Sequence, residues 1–205
     1  MRLAAPTLAL ALAAATVPQA PERTLYPPNA WPIVSTFGSL SAVGGGLREA
    51  PNPGVDIVAI VRTPVFAAEH GQITLTGIEA HRGKVVELRT TETDSPLTLS
   101  YAHLHAIEVA LGDAVSAGQR IGTVGDTGQV PRGIGHLSFE VRGPDGLTPI
   151  DPEPFLRARS DGHVECVDRA RAAAGGYPPG RFRAIRAGKM TGAPLLYPVA
   201  CTRSR

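Results

Sequence analysis

Between residues 55 and 142 the chain is a succession of short β-prone runs separated by glycines, prolines and polar turns. The runs fall at residues 65–67, 72–75, 84–89, 97–104, 121–124 and 136–142, and none of the intervals is long enough or periodic enough to hold a substantial helix. Parallel strands need a crossover of a dozen or more residues, usually helical, so strands this closely spaced must pair antiparallel. The sequence therefore predicts an all-β protein: an antiparallel β-sheet core with a short mixed C-terminal extension, where helical periodicity first appears at residues 164–174. The 23 glycines and 19 prolines supply the turns, and 43% hydrophobic residues over 205 positions are enough to bury one core and leave an appendage.

Four segments are expected. Residues 1–20 carry Arg2, the apolar run at residues 8–15 and small residues up to Ala20, the pattern of a secretory signal. A membrane anchor would need about 18 apolar residues, and this run is shorter and interrupted by Pro6 and Pro18, so no stable anchor is expected after cleavage. Residues 21–30 form a lead-in and 31–156 the domain. Residues 157–205 have ten Lys or Arg against three Asp or Glu, a net +7, whereas the whole chain is +2 and the remainder therefore −5. Such a basic extension suits an anionic envelope polymer or is simply a solvated tail. The small overall charge demands no polyanionic partner, and nothing reads bases, so nucleic acid is not expected.

The only two cysteines, Cys166 and Cys201, both lie in that extension. An even pair in an exported chain favours a disulfide, which over a loop of about 34 residues would contribute about 3–4 kcal/mol. A glycine cluster, Gly44-Gly45-Gly46, lacks the Gly-Lys-Ser/Thr ending of a phosphate loop and reads as a mobile rim.

Chemistry concentrates in three places: Asn52-Pro53-Gly54-Val55-Asp56, Tyr101-Ala102-His103-Leu104 and His136-Leu137-Ser138-Phe139-Glu140. In a strand, residues i and i+2 share a face, so His136 and Ser138 should face one way and Leu137, Phe139 and Val141 the core. By the same alternation Tyr101, His103 and His105 should share a face. Asp56 after Pro53-Gly54 could equally be a turn-capping carboxylate, and His103 and His136 could be hydrogen-bonded imidazoles lining a groove. His70, His81, His105 and His163 read more simply as surface or turn histidines.

These motifs, with Thr63-Pro64-Val65-Phe66-Ala67-Ala68, Gly112-Asp113, Gly125-Asp126-Thr127-Gly128 and Asp151-Pro152 in the same order, resemble the lysostaphin or LytM-type zinc endopeptidases of bacterial cell walls. The resemblance runs from about Trp31 to Leu156. It implies a peptidoglycan-directed protein, periplasmic or secreted. In that family the zinc is held by the His and Asp of H-x-x-x-D and by the second His of H-x-H. Asp56 is then the retained ligand, Asn52 stands at the place of the first histidine and Ser138 at the place of the last. His103 and His136 match the assisting histidines.

An amide and an un-ionised hydroxyl are weak zinc ligands, and a catalytic site needs three good ones with a position open for water. Each good ligand is worth roughly 2–4 kcal/mol if a complete site of four is worth about 10–16. The resemblance thus implies a cell-wall remodelling protein that has lost hydrolysis, a pseudoenzyme needing no cofactor, with stem peptides or a cell-wall amidase as partner. The alternative is an active zinc endopeptidase cutting peptide cross-links, with Asp56, His136 and a recruited His105 as ligands.

Overall fold

The computed structural model describes residues 30–91, 94–131, 133–156, 183–186, 189–191 and 197–199. The segment expected to be a secretory signal, both cysteines, His163 and the helical pattern expected at 164–174 lie outside the described residues. Within them the architecture is all-β and antiparallel, and a single turn of helix, α1 (Glu153–Leu156), follows the last strand of the main sheet. No helix of the described residues is long and apolar enough to cross a membrane.

Four strands are long. They are β4 (Gly71–Glu79), β5 (Gly83–Thr90), β6 (Thr98–Ile107) and β9 (His136–Arg142). With β1 (Ile33–Ser35), β2 (Val55–Val58) and β7 (Ala114–Val115) they make one sheet in the order β1-β2-β9-β6-β5-β4-β7. The strands β3 (Pro64–Phe66) and β8 (Arg120–Val124) pair with each other, and β8 also joins β6; β10 (Pro149–Ile150) pairs with β9. A separate hairpin, β11 (Arg183–Arg186) and β12 (Lys189–Thr191), lies in the C-terminal section.

The expected alternation in β9 holds. Leu137, Phe139 and Val141 are fully buried and join Val55, Ile57, Leu99, Tyr101 and Leu104 in the core. The opposite face of the same strands is polar. Directly paired residues share a face, so register places Asp56, Ser138 and Ala102 in one row, and Glu140, Ser100 and Glu87 in the row beyond. Arg82 and Arg142 bracket the second row, Arg82 donating to Glu79, Glu87 and Ser100 and Arg142 to Glu87 and Glu140. That row satisfies its own charges, whereas the row containing Asp56 is buried next to His103 and His136, which line a groove.

The packing crosses the boundary drawn at residue 156. Tyr197 and Val199 are fully buried members of the core: Val199 bridges Val65 on β3, Phe66 N–H donates to the Pro198 carbonyl at 2.8 Å, and the Tyr197 hydroxyl donates to the Trp31 carbonyl at 2.5 Å. The basic section is therefore not wholly an appendage. Its last apolar residues complete the core that β3 and the lead-in leave open.

Candidate active-site groove

Two loops and the polar face of the sheet enclose a groove of about 590 Å3, lined among others by Val43, Leu47, Arg48, His81, His103, Gln129, Pro131 and His136. One wall is a small hairpin-like loop in which Arg48 N–H donates to the Leu40 carbonyl and Ala42 N–H to the Gly46 carbonyl. Gly44, Gly45 and Gly46 all have positive φ, which glycine adopts without cost. A side chain on Gly44 would meet Pro131 and Ile134 of the opposite wall at 2.9 Å, so the two rims stand close together.

Asp56 lies beside Asn52 and opposite Ser138, the three residues that the resemblance matches to the family's ligands. Asp56 is completely buried, paired across the strands with Ser138, itself nearly buried. Asn52 is buried four residues upstream; its Nδ2 donates to Ser35 Oγ at 3.0 Å and reaches Asp56 Oδ2 at 3.4 Å, while its Oδ1 accepts from Gly54 N–H at 3.2 Å. This is the geometry of a side chain that closes its own turn. The remaining partner of Asp56 is Arg48, whose Nη2 donates to the same Oδ2. Sequence reasoning passed over Arg48, because a lone arginine in a loop gives no sign of which carboxylate it will reach.

His103 and His136 are neighbours, with ring centroids 4.7 Å apart. His103 Nδ1 lies 2.8 Å from the Thr127 carbonyl and His136 Nδ1 3.3 Å from the Ile134 carbonyl. A carbonyl only accepts, so Nδ1 carries the proton in both rings and Nε2 is left as an acceptor. Burial first, then the neighbouring His136, pushes His103 down to about 4. Burial also lowers His136, against the pull of Asp56. Arg48 disfavours protonation of both, so the groove carries two neutral imidazoles at neutral pH.

His103 has φ of 61°, a left-handed conformation uncommon for a residue with a side chain and often stored at functional sites. A bulge in β6 between the pairs Lys84–Leu104 and Val86–Tyr101 accompanies it. This breaks the alternation expected for Tyr101, His103 and His105. Tyr101 is a core residue whose hydroxyl accepts from Ala68 N–H, His103 lines the groove, and His105 is not among the lining residues. Nor is His70, whereas His81 is, held by Gln129 at 2.7 Å.

The lowered His103 sets a pH dependence. Between pH about 4 and 6.5 the unfolded chain binds more protons than the native one, so stability rises with pH through that window and is lost as pH falls through it. The loss should approach about 3 kcal/mol below pH 4. Urea midpoints between pH 7.5 and 4 should fall more steeply in the parent chain than in His103→Asn; equal slopes would mean that His103 is solvated.

The family model for peptidase family M23 matches residues 50–152, half of the chain and all of the motif residues. The chain belongs to peptidase family M23. It is 34% identical over 119 residues to the peptidoglycan DD-endopeptidase ShyA of Vibrio cholerae, covering 58% of this chain and 27% of that protein. It is 36% identical to the cell division protein DipM of Caulobacter vibrioides, covering 62% and 20%. Among solved structures, the catalytic domain of lysostaphin from Staphylococcus simulans superposes with a TM-score of 0.54 at 29% identity, over 62% of this chain and 92% of that one. The chain thus spans about a quarter of the length of the curated relatives it matches, and a whole catalytic domain of the structural one. Arg48 and Tyr197 both lie outside the segment matched to the family.

M23 peptidases are zinc enzymes, and the donor set of this groove does not fit that metal. One carboxylate, one amide committed to its own turn and one hydroxyl stand at the three positions where two imidazoles and a carboxylate are needed. Among the described residues no three His, Cys, Asp or Glu side chains are grouped to hold a metal ion. Arg48 adds a unit positive charge on the carboxylate of Asp56. At an effective dielectric of about 20, two unit charges about 4 Å apart repel by about 4 kcal/mol, and a divalent ion doubles that.

Proposed function

We propose that this chain is an exported member of family M23 that binds peptidoglycan peptides without hydrolysing them. The observation that carries the reading is the Arg48–Asp56 ion pair, flanked by Asn52 and Ser138; Asn52, Asp56 and Ser138 are the three residues that the resemblance matches to the family's zinc ligands. A guanidinium there can neither lower the pKa of a bound water nor offer it as a nucleophile. The groove beside it keeps His103 and His136, an open volume and walls part polar and part apolar, which is what a peptide-binding cleft requires. Its likeness to a cell division protein and to wall endopeptidases supports a role in wall remodelling, either on the polymer or as a partner of a separate wall hydrolase such as an amidase.

The test is metal analysis of the purified full chain. Far less than one zinc per chain is expected after dialysis against a mild chelator, together with no release of fragments from isolated peptidoglycan. Stoichiometric zinc that survives that dialysis would overturn the reading in favour of an active endopeptidase.

A further inference from the structure

We propose that Arg48 is the recognition site for the free C-terminal carboxylate of a peptide lying in the groove, and that His103 and His136 receive that peptide's amide N–H groups. The proposal rests on the peptide-binding reading above and names the chemistry that reading leaves open.

Among the described residues Arg48 is the one arginine or lysine lining the groove, and the neighbouring Glu49 lines it too. The Arg48 guanidinium has five donors; Nη2 donates to Asp56, and the side chain is 28% exposed. Two atoms of the same pair are buried without a partner, Arg48 Nε and Asp56 Oδ1. A small rotation would pair them, making the contact a two-pronged fork on Asp56 and leaving the Nη1 edge for a ligand. Asp56 is completely buried, so it stays behind the guanidinium and fixes its plane. A guanidinium so held on one edge presents planar, charged donors suited to a second carboxylate on the other.

The imidazoles define what lies next to that carboxylate. With both Nδ1 protons committed to the Thr127 and Ile134 carbonyls, two Nε2 acceptors sit side by side. Acceptors match amide N–H groups and do not match a second carboxylate. The groove therefore offers a cationic donor for a chain end and neutral acceptors for the peptide leading to it. A peptide whose end is blocked as an amide loses the charge-assisted contact and keeps the others.

The experiment is calorimetric titration of the full chain with N-acetylated dipeptides of alanine and glycine, in both chiralities, each as free acid and as C-terminal amide. The free acid should bind at least tenfold more tightly than its amide. Asp56→Asn, which releases the guanidinium from its partner, should widen that ratio. Arg48→Met combined with Asp56→Asn, which leaves no unpaired buried charge, should bring it close to one with its circular dichroism spectrum unchanged. Equal binding of acid and amide by the parent chain would overturn the proposal and leave the peptide groove standing, as would an acid preference that persists in the double variant. Binding of neither form would remove the peptide groove as well.

Discussion

Asn52→His and Ser138→His, made together with Arg48→Ala, should raise zinc affinity by roughly three to six powers of ten. Two added imidazoles at roughly 2–4 kcal/mol each supply about 4–8 kcal/mol, and each tenfold is about 1.4 kcal/mol. The third substitution matters as much as the other two. While Arg48 remains on Asp56 Oδ2, the carboxylate is already paired and the incoming ion meets a positive charge. The Asn52→His, Ser138→His double variant should therefore gain far less than the triple one. Asn52 closes its own turn and holds Ser35, so its replacement should lower stability by about 1–3 kcal/mol. Competition against a chromophoric chelator reads the affinity. A triple variant that folds but binds zinc no better than the parent would show that Asp56 and the restored positions 52 and 138 do not converge on one ion.

Much of the fold was legible because the strands that matter alternate. In β9 the core residues Leu137, Phe139 and Val141 interleave with His136, Ser138 and Glu140, and period-two spacing alone assigns them to opposite faces. What brings Asp56 opposite Ser138 is register between strands some eighty residues apart, which periodicity does not encode; there the resemblance to the wall endopeptidases carried the reading. The same alternation misplaced His105, since the bulge and left-handed backbone at His103 interrupt the period and a single sequence gives no sign of either. Arg48 was illegible for another reason. Its role follows from a loop hydrogen-bonded to itself, which sets where the guanidinium ends up, and loop geometry leaves no periodic trace.

The C-terminal residues that join the core have a consequence that can be measured. Tyr197 lies forty-one positions beyond α1, in a section whose charge pattern suggests a solvated tail, yet its ring is fully buried and its hydroxyl holds the Trp31 carbonyl. Truncating a buried aromatic typically costs about 3–5 kcal/mol, from lost transfer energy and the cavity left behind. Domains of this size hold about 5–15 kcal/mol in all. Tyr197→Ala should therefore remove a large share of the stability of the whole domain, and Tyr197→Phe, which keeps the ring and loses the hydrogen bond, only about 1–2 kcal/mol. Cys201 stands two residues beyond Val199, so a bond between Cys166 and Cys201 would tether a segment that forms core, and reducing it should be felt in the sheet as well as in the extension. Urea unfolding followed by Trp31 fluorescence reads these effects directly, because Trp31 is the only tryptophan and packs against the core that Tyr197 completes. A Tyr197→Ala chain with an unchanged midpoint would mean that the C-terminal segment leaves the sheet in solution, and that β3 and the lead-in close the core without it.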